Sequence, residues 1–347
     1  MSNTHGVRRA RVVRRAACVG ALATALLVGV TGVARSSEPI TLRLGHVAIE
    51  GSETARAADR FADSLAAVSG GRMSVRILAR GKLGGMTQHW AQLRAGALDL
   101  FVTDVGAVAM NKEARSMMVL AVPFLFRDQA HFDLVARSPF FLKEMARIDQ
   151  AAGFHFVGVV GERSPRIIST TRRAVRSVKD LEGLRMRVPP SPIFTKAYEA
   201  WGAVPTPVPA RDLLMALRSG MVDGQSNGIG TIYRPDLHPN GNPPLRHVTP
   251  LNWVHMGLAV WMSASRWAGL GEVERDWVRR AAEQARADGA IEAKAQMARA
   301  LAGLAAYGMT LTEPDRESFL YAKQVVVDAF EGRAWPKGWV AKISAMR

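Results

Sequence analysis

The chain has 347 residues, of which 48% are hydrophobic and 22% charged, with a formal net charge of +16. That length supports one large or two ordinary domain cores, and the balance is that of a soluble globular protein. No run of 18 or more apolar residues lies in the body of the chain, which argues against an internal membrane span.

The first 37 residues differ from the rest. "MSNTHGVRRARVVRR" is basic and has no acid, "AACVGALATALLVGVTGVA" is small and apolar, and "RSSEP" is small and polar. This is the order of a secretory signal peptide, with cleavage predicted between Ala34 and Ser37. An uncleaved N-terminal anchor is the alternative, and the paired arginines hint at twin-arginine export without a good fit in the residues that follow. The leader carries Cys18, the only cysteine, so the mature chain is predicted to have no disulfide, thiolate metal site or cysteine nucleophile. It also carries six arginines, and their removal leaves 40 basic against 30 acidic residues, a net charge of about +10. Such a chain suits anionic ligands or an anionic membrane surface.

"ITLRLG" opens the mature region as a strand. From Thr54 to Val68 the apolar positions Ala58, Phe61, Leu65 and Val68 follow helical spacing, and Gly70 and Gly71 end the helix. "RMSVRIL" alternates as a strand, a helix runs through Trp90 and Leu93, and "LDLFVTD" is an apolar strand. This alternation predicts a parallel α/β sheet. "FHFVGVV" is predicted as a buried strand. "LRMRV" alternates Leu184, Met186 and Val188 with Arg185 and Arg187, and helices follow through Ile193 to Trp201 and through Leu213 and Leu217. "RPDLHPNGNPPL" is a surface loop by its prolines. A long alanine-rich helix is predicted from Glu272 to Leu304, about 45 Å in extent, as a strut shared by two lobes.

Few motifs carry chemistry. "GQSNG" matches the G-x-S-x-G nucleophile elbow at Ser226, with Asp236 and His238 following in a suitable order, which keeps an exported serine hydrolase open as an alternative. The elbow needs a strand that turns sharply into a helix, and little room for that strand is predicted. The histidines show no metal-ligand spacing, no phosphate-binding glycine loop is present, and basic residues do not cluster with aromatics. No metal, cofactor or nucleic acid is therefore expected. The arginines remain: Arg163 and Arg166 lie in "GERSPRIIST", where the chain is predicted to cross between lobes, and Arg187 precedes Pro189 and Pro190. A guanidinium holds a carboxylate through two parallel hydrogen bonds, which a lysine cannot copy. Decoration of an exposed strand is the competing reading, and for Arg172, Arg173 and Arg176 it is preferred.

The stretch "VKDLEGLRMRVPPSPIFTKAYEAWGAVPTPVPARDLLMALRSGMVDGQSN", preceded by "LRLGHV", "KLGG", "QLRAGALDLFVTD" and "VPFLFRDQAHF", resembles the solute-binding proteins of TRAP (tripartite ATP-independent periplasmic) transporters across nearly the whole mature chain. The resemblance implies a two-lobed α/β periplasmic solute-binding fold, with a ligand cleft between lobes and a long connecting helix. It implies one lobe at 38–163 plus 257–296 and the other at 164–256 plus 297–347. It implies Arg187 as the carboxylate clamp, Arg166 as its assistant, Asn227 and Asp104 as pocket residues, and, more loosely, His46, Trp253 and His255. The implied function is that of a non-enzymatic periplasmic receptor delivering a small organic acid to TRAP membrane subunits, with a periplasmic sensor as a further alternative. The long helix offers a surface for a homodimer. Ser226 and Gly228 depart from the family's usual glutamate and proline, so the elbow match reads as accidental.

Overall fold

The computed structural model describes residues 38–233 and 245–347. The expected leader and its cleavage site, and the proline-rich segment with Asp236 and His238, lie outside the described residues. The strands in chain order are β1 (Ile40–Gly45), β2 (Met73–Leu78), β3 (Leu100–Asp104), β4 (Phe154–Arg163), β5 (Arg166–Thr170), β6 (Arg185–Val188), β7 (Val204–Pro207), β8 (Gly224–Gly228), β9 (His247–Thr249), β10 (Met256–Ser263) and β11 (Thr310–Leu311). The helices are α1 (Glu53–Val68), α2 (Met86–Arg94), α3 (Gln129–Ala136), α4 (Pro139–Ala152), α5 (Pro192–Ala200), α6 (Leu213–Arg218), α7 (Ile229–Ile232), α8 (Ala264–Ala268), α9 (Glu272–Ala306), α10 (Ala322–Phe330) and α11 (Trp339–Ala345).

The strands form two sheets, β2-β1-β3-β10-β4 and β11-β9-β5-β8-β6-β7. The first begins as the sequence suggests, with β1 parallel to both β2 and β3. It is not wholly parallel, because β10 runs antiparallel between β3 and β4. The reason is topological: β10 returns from the second sheet and enters the first at the end where β3 and β4 leave it. In the second sheet β6 is parallel to β7 and β8, while β5 is antiparallel to β8 and β9.

Local chemistry sets the helix ends. The Ser52 hydroxyl caps α1 by accepting the Ala55 N–H, and the chain leaves the helix through Gly70 and Gly71, both at positive φ where a side chain would strain the backbone. α1 buries Ala57, Ala58, Phe61 and Leu65 against one face of the first sheet. The long helix α9 joins that core through Trp277, Val278, Ala281, Ala282 and Ala285. Further along, its Ala300 and Leu304 join a second core with Ile167, Leu217, Ile232 and Val248 on the second sheet. At 35 residues α9 extends roughly 52 Å, enough to span both sheets. A third core runs from Trp90, Phe101 and Trp261 of the first sheet through Trp253 to Met186 and Val188 of the second, and includes Phe319 and Trp335 near the C-terminus. The alternation in β6 is realised with a twist. Met186 and Val188 are buried as expected, but the opposite face is open at Arg185 and covered at Arg187.

Candidate functional site

Besides α9, two short segments carry the chain between the sheets, and they run side by side. Arg163 ends β4, Arg166 begins β5, and Ser164 and Pro165 alone separate them. The returning segment pairs with this one: Arg166 N–H donates to Val254 C=O (2.9 Å) and Trp253 N–H to Arg166 C=O (3.3 Å). The C-terminal ends of β1, β3 and β4, and those of β6 and β8, therefore face this crossing. Open α/β sheets place ligands outside the carboxyl ends of their strands for the same geometric reason.

Arg187 reaches this region from β6 and is 3% exposed. Its Nε donates to the Val208 carbonyl at 2.8 Å, which leaves both terminal nitrogens of the fork for other acceptors. Arg166 is likewise buried. Its Nε donates to Ser226 Oγ (3.1 Å), a terminal nitrogen donates to Ser226 C=O, and the guanidinium lies 4.7 Å from the centre of the Phe194 ring. Burial pulls the Arg166 guanidinium down to about 9, with Arg163 and Arg187 adding repulsion. Burial also pulls Arg187 down to about 10, again with a contribution from Arg163. Among the described residues no carboxylate lies within ion-pair distance of either group, so the fold holds two guanidiniums where an anion would relieve them.

Arg163 bridges the two sheets. One terminal nitrogen lies 3.2 Å from Asp104 Oδ1 at the end of β3, and the other donates to Asn227 Oδ1 at 2.7 Å on β8. Burial lowers the proton affinity of Arg163, but the Asp104 and Glu53 carboxylates outweigh it and hold the group above its ordinary value. Asn227 Oδ1 also accepts the Gly228 N–H (3.2 Å), and its amide nitrogen donates to Gln225 Oε1 (3.3 Å). Gln225 is fully buried, and its own Nε2 has no acceptor among the described residues. Glu53, at the start of α1, accepts the Ser164 N–H at 3.2 Å and ties that helix to the crossing.

Arg187, Arg166, Asn227 and Asp104 thus come together in one place, with Arg163 among them. The other three candidates are spread out. Trp253 is fully buried between Phe194, Tyr198 and Trp201. His255 is pushed down to about 4 by burial, and its charged neighbours are Asp128 and Arg316, outside the arginine cluster. His46 is buried and lowered by desolvation, with Asp59 and His89 as its titratable neighbours. Tyr198 was missed by the sequence reading. Burial raises its hydroxyl to about 12, and the group lies beside Ser226 and the two guanidiniums without a hydrogen bond of normal geometry. Its spacing from Phe194 (four residues) and to Trp201 (three residues) reads as an ordinary core stripe, which hides the polar tip. Gln225 was in plain view within "DGQSN".

The elbow motif is not realised. Ser226 sits in the middle of β8, paired opposite Ile168, and its hydroxyl accepts from Arg166. Arg185 closes a two-pronged ion pair with Asp223, Nε to Oδ2 at 3.0 Å and Nη2 to Oδ1 at 2.8 Å.

Two sheets with their carboxyl ends turned to a shared crossing, and unneutralised cations buried there, define a receptor for a small anion. Residues 44–333 match the family described as bacterial extracellular solute-binding protein, family 7, and the chain belongs to that family. A solute-binding protein of Roseobacter denitrificans is 28% identical over 310 residues, covering 89% of this chain and 90% of the relative. A TRAP periplasmic solute-binding protein of the same organism, crystallised with bound L-galactonate, superposes with a TM-score of 0.78 at 26% identity, covering 90% of this chain and 99% of that one. One from Bordetella bronchiseptica, with density interpreted as pantoate, superposes with a TM-score of 0.81 at 25% identity, covering 89% and 99%.

Proposed function

We propose that this periplasmic receptor captures a small organic acid between its lobes, with Arg187 and Arg166 taking the carboxylate, and presents it to the membrane subunits of a TRAP transporter. The observation that carries the reading is the pair of buried guanidiniums without a carboxylate partner among the described residues. The L-galactonate and pantoate of the two solved relatives, both organic acids, support it. The lobes are taken as 38–163 plus 257–296 and 164–256 plus 297–347, with α9 running along both. Binding proceeds without turnover, because Ser226 is a mid-strand hydroxyl engaged by Arg166 and not an exposed nucleophile.

The test is a thermal-shift screen of ligand-free mature protein against small organic acids. A ligand that binds only the folded state at one hundred times its Kd adds about 2.7 kcal/mol. For a chain of this size that raises the midpoint by several degrees. A shift confined to carboxylates is expected. No shift with any acid overturns the reading.

A further inference from the structure

The charged groups around the crossing sum to a small excess. Arg163, Arg166 and Arg187 bring three positive charges, and Asp104 and Glu53 bring two negative ones. Arg163 touches Asp104 directly and feels Glu53, while Asp104 is also within electrostatic reach of Arg166. Arg56, Arg60, Glu162 and Glu292 line a pocket with Glu53 and add two charges of each sign, and the Tyr198 hydroxyl is held protonated by burial. Arg211, at the rim beside Gly85, is matched by Asp212 at 3.6 Å. One bound negative charge therefore neutralises the site, and a second would be buried uncompensated next to a carboxylate.

The hydrogen-bonding polarity is also divided. On the β6–β8 side the free nitrogens are donors, namely both terminal nitrogens of Arg187, one of Arg166 and Gln225 Nε2, and the unpartnered Tyr198 hydroxyl can donate or accept. Asn227 is oriented by Arg163 and Gly228, both of which occupy its oxygen, and its amide nitrogen gives one hydrogen to Gln225 Oε1, so one N–H is left to offer. On the β3 side the group offered is the Asp104 carboxylate, an acceptor that is 28% exposed. A ligand that satisfies both sides has a carboxylate and an adjacent acceptor oxygen at one end and a hydroxyl donor at the other.

We propose, building on the receptor reading above, that the site selects hydroxylated monocarboxylates over dicarboxylates, and that Asp104, held by Arg163, is the residue that rejects a second carboxylate. Arg163 acts as a positioning residue: it fixes Asp104 across the cleft and turns the amide of Asn227 toward the ligand.

The experiment uses pairs of acids that differ only in a terminal CH2OH or carboxylate: glycerate and tartronate, threonate and tartrate, gluconate and glucarate. Calorimetric titration of the mature protein is expected to favour the monoacid of the best-binding pair by about 100-fold or more. In Asp104→Asn, with its ligand-free thermal midpoint checked against the parent, the ratio is expected to narrow by about tenfold or more. A diacid that binds as well as its partner in the parent protein overturns the proposal whatever the variant does. So does an unchanged ratio in folded Asp104→Asn, or binding confined to acids without hydroxyl groups. Failure of every carboxylate to bind refutes the receptor reading itself.

Discussion

Arg185 and Arg187 stand two residues apart on one strand, with side chains on the same face, yet they do different work. Asp223 lies across from Arg185 and holds both prongs of its guanidinium, in addition to accepting the Arg185 N–H at 3.0 Å. Among the described residues Arg187 has only the Val208 carbonyl, at its inner nitrogen. Charge-assisted bonds contribute about 1.5–3 kcal/mol each when shielded from water. Arg187→Ala should therefore weaken ligand binding by more than about 100-fold by calorimetry. Arg187→Lys keeps the charge but loses the planar fork and its anchor to Val208, and a deficit of about tenfold or more should persist. Arg185→Ala should leave the Kd within about twofold and instead lower the urea midpoint, because Asp223 loses its partner. Equal Kd values for Arg185→Ala and Arg187→Ala would remove Arg187 from the site.

At the scale of elements, the close approach of β8 to the crossing depends on glycine. A Cβ at Gly228 would lie 2.6 Å from Ser164 Oγ and 2.9 Å from Ser164 C=O, and one at Gly230 would lie 3.2 Å from the Glu53 carboxyl carbon. The carbonyl belongs to the backbone and cannot swing away. Gly228→Ala should therefore cost about 1–3 kcal/mol in urea unfolding, as an overpacked site does. A change within about 0.5 kcal/mol would mean that β8 has slack which these contacts deny. The same glycines let α1 reach the other lobe through Glu53. Glu53→Gln keeps the shape and an acceptor for the Ser164 N–H but removes a charge near Arg163. Faster ligand release in stopped-flow measurements is expected, and an unchanged off-rate would show that Glu53 serves the fold alone.

At the scale of the whole molecule, four histidines that are buried among the described residues make stability depend on pH. His46, His89, His131 and His255 all have their basicity lowered, chiefly by burial, with His255 pushed down to about 4. Each is neutral in the fold, whereas in the unfolded chain it takes up a proton below about 6.5. The unfolded state then binds more protons, so stability is full above pH about 6.5 and declines as the pH falls toward 4. His255 alone accounts for about 3 kcal/mol of that decline. The thermal midpoint should drop between pH 7 and 5, and less steeply in His255→Asn. A flat midpoint would mean that these rings reach water. Ligand affinity should stay level from pH 6 to 8, because the guanidiniums remain charged there and no site histidine changes state.

Much of this was present in the residue order. The period-3.6 spacing of Ala58, Phe61 and Leu65, the glycine stop after Ser69, and the period-2 alternation of β6 are local consequences of backbone geometry, and they are found where the sequence placed them. The alternation in "LRMRV" marked the strand that carries Arg187, whereas the strand at "GQSNG" that carries Asn227 stands where the sequence left little room for one. Other features have no local cause. The antiparallel insertion of β10 follows from where the returning chain enters the first sheet. Trp253 and Tyr198 look alike as apolar periodicity, and only the packing buries one indole in the core and leaves the other residue's hydroxyl beside two guanidiniums. Arg163 could be seen as a basic residue near a lobe crossing. That it spans Asp104 and Asn227, 59 and 64 positions away, is a matter of distance through space. The sequence by itself determined the strongly periodic helices and strands, the strand of Arg187 among them, because period and propensity act over a few residues, and the two-lobed class came with the family resemblance. Tertiary structure alone decided which of these arginines meets a carboxylate, as Arg185 does at Asp223, and which has none among the described residues, because a charge responds to every group within several ångströms, wherever it lies in the chain.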